Sequence, residues 1–114
     1  MKINGVELED IDIYDLEVAE KYEKALKIVQ ESSNKDGSKS LSDGIRFQCN
    51  LIFDFFNTMF GEGADKKVFG NKVNLMTCMK SFEEVVLKIN EQKKEIEKLA
   101  NKYSPNRAQR RAKK

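Results

Sequence analysis

Leu75, Phe82, Ile89, Ile96 and Tyr103 stand seven residues apart, and Cys78, Val85 and Leu99 each follow one of the first, second and fourth of them by three. An apolar repeat of this period over four steps belongs to a helix that buries a continuous seam, because strands repeat every two residues and loops have no period. Gln92 interrupts the second row, and charged residues flank the later turns. A long helix is expected from about Asn71 or Asn74, with its C-terminal half open to solvent. Pro105 disfavours α geometry at the residue before it, so the helix should stop at Ser104.

The rest of the chain supplies what such a helix can pack against. Asn4-Gly5 lies between Ile3 and Val6, and Asn-Gly is the preferred pair for a type I′ hairpin turn. Val6, Leu8, Ile11 and Ile13 then offer short extended pieces with one apolar face. Asp15 can cap a helix running to about Ser33, whose stripe is Leu16, Ala19, Tyr22, Leu26 and Val29. Residues 32–42 are polar and contain a glycine, which predicts a flexible loop. A second helix follows from about Ser42 or Asp43 to Gly61. Ile45, Cys49, Ile52, Phe56, Met59 and Phe60 form one stripe on it, and Phe47, Leu51 and Phe55 a neighbouring one. A surface this wide suits the central helix of a domain or one that also meets another chain. A helical turn is expected over Ala64 to Phe69, with Gly61 in the left-handed region. The expected fold is mainly α: an N-terminal β-hairpin, then three main helices, the last long. It makes one domain over 1–104, followed by a disordered basic tail over 105–114.

With 114 residues, 39% of them hydrophobic, the chain can bury one modest core. Its net charge of +2 conceals two poles. Nine acids face four lysines in residues 1–31, net −5, whereas Arg107, Arg110, Arg111, Lys113 and Lys114 give the tail +5. The acidic start has no apolar stretch of the kind found in signal peptides, and the most apolar run, Leu51 to Phe56, is short and contains Asp54. A cytoplasmic chain without membrane attachment is expected, with Cys49 and Cys78 reduced.

Histidine is absent, which removes the usual general base and the commonest zinc ligand. Two distant cysteines on apolar stripes read as core residues and do not complete a four-ligand zinc site. Gly61, Gly63 and Gly70 fail the phosphate-loop patterns, since Lys66 stands where a third glycine is required and Gly70-Asn71-Lys72 lacks the Gly-Lys-Ser/Thr order. Ser32 to Asp43 has the length of a calcium loop but lacks its first carboxylate and its terminal glutamate. No enzyme activity, cofactor or metal is expected.

The residues also carry a resemblance. "KINGVEL" at the start, "EKYEKAL" from Glu20, "FFNTMFGEGADKKVFG" from Phe55, "CMKSFEEVV" from Cys78 and "SPNRAQRR" from Ser104 resemble a family of small proteins. Its members are encoded in the tail-gene region of phages and prophages of clostridia and related Firmicutes. This layout is similar to that of the tail assembly chaperones of long-tailed phages. The resemblance implies a non-catalytic, self-associating protein in the cytoplasm of the bacterial host that binds the tape-measure protein and keeps it soluble. It also implies that the C-terminus can be the junction to a frameshifted, extended form. Phe47, Leu51 and Phe55 on the second helix, with Leu75, Phe82, Ile89 and Ile96 on the long one, are the expected partner-binding residues. The basic tail leaves an alternative open, a phage nucleic-acid-binding regulator working through Arg107, Arg110, Arg111, Lys113 and Lys114. Against it, the tail has no aromatic stacker after Tyr103.

Overall fold

Residues 1–103 are described by a computed structural model. The expected helix end at Ser104 and the basic tail, with Arg107, Arg110, Arg111, Lys113 and Lys114, lie outside them. Strands β1 (Lys2–Ile3) and β2 (Val6–Glu7) pair antiparallel with Ile3 opposite Val6. Asn4 and Gly5 both take positive φ, 52° and 75°, as a type I′ turn requires. The Asn4 amide donates to the Val68 carbonyl at 3.0 Å, and the Asn4 backbone N–H donates to Glu84 Oε1 at 3.3 Å, which seats the turn on two later helices.

Helix α1 (Leu16–Ser33) starts at Asp15, whose carboxylate accepts the Glu17 N–H. Its core face is Tyr22, Ala25 and Val29. Leu16, expected on that face, is largely exposed, because the buried stripe begins only at the second turn. Helix α2 (Leu41–Phe60) begins slightly before its expected start, since the Ser40 hydroxyl takes the Asp43 N–H at 3.2 Å and serves as the cap. At its end Gly61 has φ 100° and ψ 160°, outside the left-handed region expected for it; Gly63, with φ 90° and ψ −4°, occupies that region instead. Helix α3 (Ala64–Phe69) is the expected short turn, and Asn57 Oδ1 accepts the Asp65 N–H at its start. Helix α4 (Leu75–Tyr103) begins beyond Asn74, whose side chain accepts the Thr77 N–H, and spans about 43 Å at 1.5 Å per residue.

Helix α2 touches all three other helices. Ser33 bonds to Gln48 while Tyr22 meets Phe55, so α1 runs antiparallel to α2. Leu75 borders the same recess as Ile45 and Gln48 while Phe82 meets Phe55, so α4 runs in the direction of α2. Phe55 is the hub, with Tyr22, Phe56 and Phe82 edge-on at 6.2, 6.0 and 4.9 Å between centroids, an arrangement that aromatic quadrupoles favour. Leu8, Ile11 and Ile13 close the end of this core. The connection expected to be flexible has an anchor: Gln48 Nε2 donates to Asp36 Oδ2 at 3.2 Å, and the Ser38 N–H to Asp36 Oδ1 at 2.9 Å. Among the described residues no helix is long and apolar enough to cross a membrane.

Candidate functional site

The seam of α4 divides at Gln92. Cys78, Val85 and Ile89 are buried and Phe82 packs half-buried on the core, whereas Ile96 is 40%, Leu99 54% and Tyr103 71% exposed. Gln92 itself, a break in the apolar row, is a clamp. Its Nε2 donates to the Ile11 carbonyl at 2.7 Å, and its Oε1 accepts the Ile13 N–H at 3.1 Å. The Tyr14 hydroxyl adds a bond to the Gln92 carbonyl at 3.4 Å. The segment leading into α1 thus obtains from one side chain the pairing that a neighbouring strand would give.

The expected partner-binding residues separate accordingly. Phe55 at 2% and Ile89 at 0% exposure are buried in the core, unlike the other expected partner-binding residues. Phe55 takes this place because α1 and α4 approach α2 from two sides and both meet its ring. Ile89 lies before the point where the seam loses its cover. Phe82 and Leu75 are half-buried against the same core. Phe47 and Leu51 are half-buried on α2, and Ile96 is accessible beyond Gln92.

Leu51 borders an apolar groove of about 400 Å³ between α1 and α2. Ala25, Val29 and Phe55 line it together with Ile28 and Leu51, while Lys21, Lys24, Asp54 and Thr58 supply its polar groups. Ile28, more than half exposed, was missed in the sequence because it falls off the stripe through Leu26. The spacing of Ala25, Ile28 and Val29 is the signal that could have found it. Such a groove, apolar inside with charges of both signs at its edge, matches the apolar face of an amphipathic helix.

Two other features are structural. The α-amino group pairs with Asp10 and with Glu7, and donates to the Leu8 carbonyl at 2.9 Å. The hydrogen bond to Asp10 raises the pKa of the amine, and the same bond lowers that of Asp10. Cys49 and Cys78 are free and fully buried. Burial, with the hydrogen bond to Cys49, pushes the Cys78 thiol up to about 12, so it stays protonated and non-nucleophilic at neutral pH. Among the described residues no three cysteine or carboxylate side chains gather in a way that could hold a metal ion.

Residues 4–114 match a family described as a family of unknown function (DUF6673). The chain belongs to that family. The match takes in the hairpin turn, all four helices and the C-terminal segment. No curated protein and no solved structure matches the chain.

Proposed function

We propose that this protein is a tail assembly chaperone, or a related tail-morphogenesis protein, of a phage or prophage. It binds a helical client, the tape-measure protein, and associates with itself. The observation that carries the reading is the groove between α1 and α2, where Ile28 and Leu51 remain accessible above the buried Val29 and Phe55. An elongated helical client exposes apolar stripes before assembly, and a groove that covers one stripe at a time keeps it from aggregating. Lys21 and Lys24 on one helix and Asp54 on the other set the orientation and register of the bound helix. Binding of this kind needs no catalytic group.

Coexpression with the tape-measure protein of the same phage or prophage genome tests the proposal. The tape-measure protein should move into the soluble fraction and copurify with the chaperone. An insoluble client, with no association in a pull-down, overturns the reading.

A further inference from the structure

Beyond Gln92 the seam of α4 is uncovered. Ile96, Leu99 and Tyr103 continue the row of Val85 and Ile89 at helical spacing but lie against none of the described core. We propose that a second copy of this chain covers them, with the two α4 arms antiparallel and Ile96 of each copy facing Leu99 of the other. This gives a geometry to the self-association in the reading above and rests on that part of it. The face is separate from the α1/α2 groove.

Charge selects the antiparallel arrangement. In the heptad register set by Ile89 and Ile96, Lys88, Glu95 and Lys102 flank the seam on one side, and Lys93 and Ala100 on the other. Antiparallel arms place Glu95 of each copy beside Lys102 of the other, giving two symmetric pairs. Parallel arms set Glu95 against Ala100 and give no attraction within the arm. The antiparallel register also brings the end of each arm level with Gln92 of the other copy. Asp10 and Glu91 border the recess there, and Asp12 lies between the two residues that Gln92 clamps.

Two arms of about eleven residues cover less than the roughly 1,200 Å² of a stable interface, so the dimer is weak on its own and sensitive to salt. Sedimentation equilibrium of the full chain, from micromolar to millimolar concentration, reads it directly. The mass should rise from one chain toward two at low salt. Leu99→Asp should abolish the rise. Glu95→Lys and Lys102→Glu should each weaken association about three- to tenfold, from the worth of exposed ion pairs. Glu95→Lys combined with Lys102→Glu should restore it. All these positions lie outside the core, and circular dichroism should confirm unchanged helix content. A monomer at every concentration, a dimer indifferent to Leu99→Asp, or a double charge swap that does not restore association overturns the proposal. No client is present, so failure here leaves the groove reading intact, and failure of client capture leaves the dimer intact.

Discussion

Gln92 shows how one polar side chain fixes two distant pieces of chain. It satisfies the Ile11 carbonyl and the Ile13 N–H from about eighty residues away in sequence. Gln92→Leu leaves both groups without that partner and should cost about 1–3 kcal/mol in urea unfolding, even though leucine repairs the apolar row. The sequence shows only the interruption, because the groups it serves are backbone atoms of another segment. Cys49 and Cys78, by contrast, were legible as core residues from the stripes they occupy. With both thiols fully buried and that of Cys78 also pushed up to about 12, thiol reagents should leave the native protein unmodified near neutral pH and react with both cysteines after denaturation. Asp36 titrates the other way: hydrogen bonds from Ser38 and Gln48 hold its carboxyl below the ordinary 3.8. A depressed carboxylate contributes its stabilisation above the unfolded pKa and loses it as pH falls through the folded one. An NMR titration should therefore give Asp36 a midpoint below 3.8 that Gln48→Leu moves upward.

At the level of elements, one helix carries a single periodic pattern through two environments. Ile89 and Ile96 occupy equivalent heptad positions, yet one is fully buried and the other 40% exposed. Ile89→Ala should destabilise the fold by about 2–5 kcal/mol, whereas Ile96→Ala should stay within about 0.5 kcal/mol. Equal losses at the two sites in denaturant titrations would place the arm inside the core. The period, the Asp15 cap, the Asn-Gly turn and the short helix over Ala64 to Phe69 were all legible, because each is set by residues close in sequence. Which face of α2 remains free was not. Its apolar surface is wide enough for several packings, and the approach of Tyr22 and Phe82 from other helices decides that Phe55 is interior. The start of α2 lies a residue before the expected Ser42 because the Ser40 hydroxyl is the cap used.

Over the whole molecule as far as residue 103, the α1/α2 groove and the arm beyond Gln92 are among the apolar surfaces left uncovered, with Leu41, Met76 and Leu87 exposed elsewhere. In the proposed function the groove takes a helical client, and in the proposed dimer the arm takes another copy of the chain. The sequence offers Leu51 as part of a wide apolar surface on α2; the groove itself required Ile28 and the antiparallel fit of α1, which are properties of the assembled fold. Ile28→Glu puts a charge at the groove without touching the fully buried core and should weaken client binding at least about tenfold, as expected when a central contact residue is lost. The most direct measurement is an NMR titration of the isotope-labelled protein with helical fragments of the tape-measure protein. Binding in the groove should shift the backbone signals of Ala25, Ile28, Val29 and Leu51 together to saturation, and Ile28→Glu should remove the response. No shifts with any fragment, or shifts confined to residues away from the groove, would contradict it.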